Sequence, residues 1–148
     1  MRFSKLIILI VVLTVLIMIF YFNNTTRLPQ VCFNEKCFFV EIVDESAERA
    51  LGLMNREYLA PDSGMIFIFE NEGSYPFWMK NTLISLDMIW LNSKKEIVYI
   101  FENAQPCTAN PCPIISHEGS ALFVVELNAG TVREKKIQVG QTAIFELE

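Results

Sequence analysis

The chain has 148 residues, 52% of them hydrophobic, and its 12 basic and 17 acidic side chains give a net charge of −5 at pH 7. The acidic balance argues against a protein that holds nucleic acid or anionic lipid by bulk electrostatics. No phosphate-binding glycine loop, nucleophile elbow or His-rich zinc motif is present.

From Leu6 to Phe22 every residue is apolar except Thr14. As a helix this stretch spans roughly 26 Å of a bilayer core about 30 Å thick. Arg2 and Lys5 lie in the short segment 1–5, so the positive-inside rule keeps that end cytoplasmic and sends the chain after residue 22 to the outer face. The segment runs into the bulky, polar Tyr21-Phe22-Asn23-Asn24 with no small-residue cleavage site, and reads as an uncleaved signal anchor rather than a cleaved signal peptide. Residues 23–30 form a polar linker, and 31–148 are enough for one extracytoplasmic domain with a single core. Arg2, Lys5 and Arg27 are basic residues outside that domain and none of the 17 acidic ones is, so the domain carries a net charge near −8.

Four cysteines fall in two identical spacings, Cys32-x4-Cys37 and Cys107-x4-Cys112. With Asn34-Glu35 at the centre of a tight hairpin, Phe33 faces Lys36 and Cys32 faces Cys37, at a separation a disulfide accepts. Pro106, Pro111 and Pro113 punctuate the second ring, and Asn110-Pro111 can initiate its turn. In an oxidising compartment two local disulfides are the leading reading. A four-thiolate zinc site, a redox-active pair and crossed pairing are the alternatives. No metal or cofactor is expected.

Phe38 to Val43 alternates as a strand. Asp44-Glu45-Ser46 offers a start for a helix through Leu53, with Ala47, Ala50, Leu51 and Met54 on one stripe and Gly52 weakening the last turn. After a turn over Leu59–Gly64 comes the apolar strand Met65–Phe69, then a loop over Glu70–Tyr75 and an extended segment from Phe77 to Lys80. Leu86–Leu91 and Glu96–Phe101 flank the polar turn Asn92–Lys95 as a hairpin. Ala121–Leu127 and Thr142–Leu147 read as closing strands, with a short helix around Gly130–Lys135. About seven strands, one or two short helices and no βαβ alternation predict a mostly antiparallel α+β domain behind one N-terminal transmembrane helix.

Several residues are candidates for chemistry. Arg49 and Arg56, seven apart, would share a helical face suited to an anion, or pair with Glu45, Glu48 or Glu57. Lys80 lies in a run built for burial, with Asp87 as its natural partner, either as an ion pair or as an acid/base pair. Glu126, between Val125 and Leu127, points to the face opposite its apolar neighbours, either to solvent or into the same pocket as Lys80. The single His117 has the surroundings of a surface loop, with a ligand or catalytic base as the alternative. Met54, Met65, Met79 and Met88 with Phe67, Phe77, Trp78 and Trp90 read mainly as core, with an apolar groove or a thioether copper(I) site as alternatives.

The blocks Gly52-Leu53-Met54, Phe77-Trp78-Met79-Lys80-Asn81-Thr82, Pro106-Cys107, Pro111-Cys112-Pro113 and Val125-Glu126-Leu127-Asn128-Ala129-Gly130 closely resemble the DUF192 family, small domains without an established biochemical role. The resemblance runs from about Phe38 to the C-terminus and implies a strongly curved, barrel-like sheet with a helix against it. Ser85, Ile114-Ile115 and Gln141 depart from the family pattern. The resulting expectation is a membrane-tethered domain whose concave Met/aromatic/cationic surface binds a small molecule or glycan through Arg49, Arg56, Trp78, Lys80, Asn81, Asp87 and Glu126. A structural or protein-partner-binding module is the first alternative, and a hydrolase using Lys80, Asp87 and Glu126 the second.

Overall fold

The computed structural model describes residues 2–23 and 28–147, with side chains described for 7–19 in the first helix. Helix α1 (Arg2–Asn23) exposes its described side chains, which are apolar apart from Thr14. Among the described residues no helix is long and apolar enough to cross a membrane. The expected span over 6–22 extends at both ends into residues whose side chains lie outside the described set, and half of the linker, 24–27, lies outside the described residues altogether.

The domain begins with strands β1 (Gln30–Phe33) and β2 (Lys36–Val43), paired antiparallel in the expected register, Phe33 against Lys36 and Cys32 against Cys37. Asn34 takes φ 55°, which the tight turn requires and which asparagine tolerates better than most residues. Cys32 and Cys37 are disulfide-bonded with Cα atoms 3.9 Å apart. Cys107 and Cys112 form the second bridge, closing a loop whose Asn110–Pro111 peptide is cis. No free cysteine remains, and no cluster that could hold a metal ion occurs among the described residues.

Helix α2 (Ser46–Leu51) is shorter than the sequence predicts, and none of its residues is buried. The expected apolar stripe does not form. Gly52, at φ 49°, turns the chain away before a second full turn can build, and the residue that enters the core is Leu53 beyond the helix. Strand β3 (Ser63–Gly73) then pairs parallel to β2, so β2, α2 and β3 form a crossover unit that the sequence reading excludes.

The remaining strands are β4 (Phe77–Trp78), β5 (Leu86–Leu91), β6 (Ile97–Ala104), β7 (Ile114–Ile115), β8 (Ala121–Asn128) and β9 (Ala143–Glu146), with helix α3 (Thr131–Lys135) before the last. Seven strands form one sheet in the order β6-β5-β8-β3-β2-β1-β9, antiparallel except at β2–β3, while β4 and β7 pair as a separate ribbon. The sheet curls into a half-barrel. Its two edge regions meet at one end, where Ala143 N–H donates to Lys95 O at 2.9 Å and Ile97 N–H to Gln141 O at 2.8 Å.

The curl has two apolar layers. All seven strands and α3 contribute to the inner one, which includes Val31, Phe33, Phe38, Ile66, Ile89, Val125 and Val132. The outer layer gathers the opposite faces of β3, β5 and β8, with Met65, Phe67, Met88, Trp90 and Val124 covered by Leu53, Leu59 and Met79 from the loops. Strand β5 is therefore buried at all six positions. Gly64 is needed where β3 meets β8, since a Cβ there would lie 2.6 Å from Glu126 O and from Leu127 Cδ2.

Candidate functional site

Alternation along β8 sends Val125 and Leu127 to the inner layer and Glu126 to the outer, as the sequence predicts. That outer face is not solvent. Glu126 stands between Met65 of β3 and Met88 of β5 in the strand register and is 4% exposed. Its carboxyl makes no hydrogen bond or ion pair among the described residues. Burial alone pushes its pKa up to about 8, so it is protonated at neutral pH.

Glu126 lines a small cleft together with Arg49 to Met54, Phe67, Phe77, Trp78 and Thr82. About 30 Å³ is open to a water-sized group, enough for one or two waters or a single functional group. Phe67 and Phe77 meet edge to face with centroids 4.8 Å apart. Trp78 stands at the mouth, 47% exposed, with Lys80 Nζ 5.1 Å from its ring centroid.

Arg49 lines the same cleft. Its Nη1 donates to the carbonyls of Asp44 and Ile68, the latter at 3.0 Å, and its guanidinium lies 5.1 Å from the Phe69 ring centroid. These partners are neutral, and no carboxylate pairs with Arg49 among the described residues. Thr82, which the sequence reading leaves aside, is 94% buried, since 6% of it is exposed; its hydroxyl donates only a long 3.5 Å bond to Lys80 O. Its position after the Asn81 bend is the available signal.

Other candidates go elsewhere. Arg56 leaves Arg49 and forms a two-pronged ion pair with Glu41 on β2, with Nη2–Oε2 at 2.6 Å, so no paired-guanidinium anion site forms. These bonds hold Glu41 below the usual carboxylate range. Lys80 is not paired with Asp87. Asn81, at φ 56°, turns the chain at the rim, where its Nδ2 lies 3.9 Å from Met54 Sδ and its carbonyl accepts Asn55 N–H at 2.8 Å.

Asp87 lies on the inner face, opposite Leu127, and is fully buried. Its two oxygens accept the N–H groups of Asn103 and Val132, each at 2.8 Å. One carboxylate thus ties β5 to β6 and to the first turn of α3, whose preceding Gly130 offers no side-chain cap. Asp87 and Glu126 stand on opposite faces of the sheet, so the convergence of Lys80, Asp87 and Glu126 that a hydrolase would need does not occur.

His117 is half-buried rather than a surface residue. Its ring stacks on Tyr99 with centroids 5.2 Å apart, Nδ1 accepts Gly119 N–H at 2.9 Å, and desolvation lowers its pKa. Met65, Met79, Met88 and Trp90 are core, which accounts for most of the Met and aromatic content. A roomier, mainly apolar groove of about 340 Å³ runs along Met79, Phe101, Pro106, Cys107 and Ile115. It has no charged lining residue, so the smaller cleft, with its buried acid and its cation, is the better candidate for specific chemistry.

Fold and site define a class: a curled α+β half-barrel, buried on both faces at its centre, with an unpartnered acid beneath an aromatic-rimmed cleft. The chain belongs to the DUF192 family, described as an uncharacterised ACR, whose model matches residues 30–145. It is similar to the crystal structure of a putative transcription regulator from Sinorhizobium meliloti 1021, with 34% identity and a TM-score of 0.71 over 79% of this chain and 91% of that one. It is also similar to a protein of unknown function from Novosphingobium aromaticivorans DSM 12444, with 30% identity and a TM-score of 0.71 over 82% of this chain and 89% of that one. No curated protein matches the chain.

Proposed function

We propose that the protein is a membrane-tethered, extracytoplasmic binding domain that takes a small or extended ligand across Trp78, with one group of the ligand entering the cleft to meet Glu126. The observation that carries this reading is the Glu126 carboxyl, 4% exposed and without a partner. An exposed indole beside it suits the flat face of a sugar ring or an acyl chain.

Two disulfides fit an oxidising compartment, and the apolar run over 6–22 behind Arg2 and Lys5 fits a signal anchor. Protease added to intact cells should then digest the domain; full protection would place it inside. Transcription regulation, the role given for the Sinorhizobium relative, raises nucleic-acid binding, but a domain charge near −8 speaks against carrying that role to this chain.

The test is native mass spectrometry of the full chain in detergent, compared with its denatured mass. A mass that is lost on denaturation and weakened by Trp78→Ala supports the binding reading. No added mass, together with a Glu126→Leu variant that is more stable and otherwise unchanged, would sink it. That outcome would favour a partner-binding module, for which Leu51, Trp78 and Ile114 are among the exposed apolar side chains.

A further inference from the structure

Three polar groups line the cleft, and none is fully satisfied. Arg49 carries a charge that no carboxylate balances, Glu126 has no hydrogen-bond partner, and Thr82 has only its 3.5 Å bond to Lys80 O. The other lining side chains are apolar: Ala50, Leu51, Leu53, Met54, Phe67, Phe77 and Trp78. What the space can hold is set by what satisfies all three groups at once.

An ammonium group would find one acceptor in Glu126 but would sit beside the uncompensated guanidinium. A hydroxyl could bond Glu126 and Thr82 and leave Arg49 unbalanced. A carboxylate answers each group, because its two oxygens accept from the guanidinium, from the Thr82 hydroxyl and from the proton that burial keeps on Glu126. At about 30 Å³ the cleft admits little more than such an end group, so the rest of the ligand must lie outside, across Trp78. We infer that the cleft selects the carboxylate end group of a ligand whose apolar or sugar body rests on Trp78, with Arg49, Thr82 and Glu126 as its polar contacts. This rests on the binding reading above and specifies its chemistry.

The test uses three probes with one body and different ends: hexanoate, hexanol and hexylamine. Each is titrated against the full chain in detergent by saturation-transfer NMR, with Glu126→Leu as the blank for partition into micelles. The expected result is that hexanoate binds at least about tenfold more tightly than either of the others, the size of one charge-assisted hydrogen bond. That binding should be lost in Glu126→Leu and kept in Glu126→Gln, whose amide still donates. Competition then distinguishes the source of the carboxylate. Displacement by an acetylated tripeptide but not by its C-terminal amide supports a peptide end, displacement by a uronate disaccharide supports an acidic glycan, and displacement by neither supports a small acid.

Tightest binding of hexylamine, or hexanoate binding that is unchanged in Glu126→Leu, would overturn the assignment. If native mass spectrometry shows a ligand that depends on Trp78 and hexanoate does not compete with it, only the choice of end group fails. If no added mass is seen and no probe binds, the reading of the cleft as a binding site fails with it.

Discussion

Replacing Asp87 with Asn tests whether this acid is structural or belongs to a reaction centre. Its two oxygens each accept a backbone N–H at 2.8 Å in a fully buried setting. In Asp87→Asn one amide oxygen can still accept, while the NH2 group turns its hydrogens toward the other N–H. The loss is one hydrogen bond to a carboxylate, about 1.5–3 kcal/mol, together with some penalty for a buried donor left unpaired. A total of about 3 kcal/mol is expected, which for a domain of this size lowers Tm by roughly 10 °C. Thermal unfolding of the full chain in detergent, followed by near-ultraviolet circular dichroism, reads the shift. Hydrogen exchange should quicken most at the amides of Asn103 and Val132. A Tm within about 2 °C of wild type, with unchanged exchange at those two amides, would refute the account of Asp87 as the tie between β5, β6 and α3.

Glu126 predicts a pH dependence of opposite sense to the usual carboxylate. Its folded pKa of about 8 lies above the unfolded value, so the folded state holds a proton that the unfolded state releases, and stability falls as pH rises from about 4.5 to about 8. The slope approaches 1.4 kcal/mol per pH unit and the total is on the order of 5 kcal/mol. Urea titrations of Glu126→Gln should be flat over that window and more stable than wild type above it; parallel curves would contradict the burial argument. Gly64→Ala should destabilise by about 1–3 kcal/mol, because its Cβ would overlap Glu126 O and Leu127 Cδ2 at 2.6 Å, and a neutral result by the same titration would show that β3 and β8 can part cheaply. Replacing Cys32 and Cys37 together with Ala should cost about 2 kcal/mol, since the ring they close is short. Thiol titration of unreduced, unfolded wild type should find no free thiol, and any titre would contradict the two bridges.

What can be read from the sequence is what is local. Hairpin register, both disulfides and the facing of Glu126 follow from positions a few residues apart, and each is found in the structure. The parallel pairing of β2 with β3 escapes the sequence because α2 is only six residues long, too short to announce a crossover. The partner of Asp87 is hidden for a different reason: its ligands are backbone N–H groups at Asn103 and Val132, and a backbone donor leaves no mark on residue identity. Arg56 has acids near it in the chain as its expected partners, whereas Glu41 reaches it across the parallel crossover. Of the seven site candidates, Arg49, Trp78 and Glu126 line one cleft, Lys80 and Asn81 stand at its rim, and Arg56 and Asp87 belong elsewhere. The outer face of β8 carries no sequence sign of being covered, because its cover comes from loops over Leu53, Leu59 and Met79.

The pairing of β1 with β9 sets a kinetic constraint on the chain. Gln30 and Glu146, joined at 2.6 Å, are 116 positions apart, so this seam is among the last contacts that a folding chain can afford in entropy. Until it forms, β1 has an open hydrogen-bonding edge and Val31 and Phe33 lack part of their cover. The Cys32–Cys37 bridge acts in that interval. By fastening β1 to β2 through a link that needs only five positions of chain, it holds the vulnerable strand in register while its far partner arrives. The bridge that adds only modestly to the finished fold therefore matters most before the fold is finished.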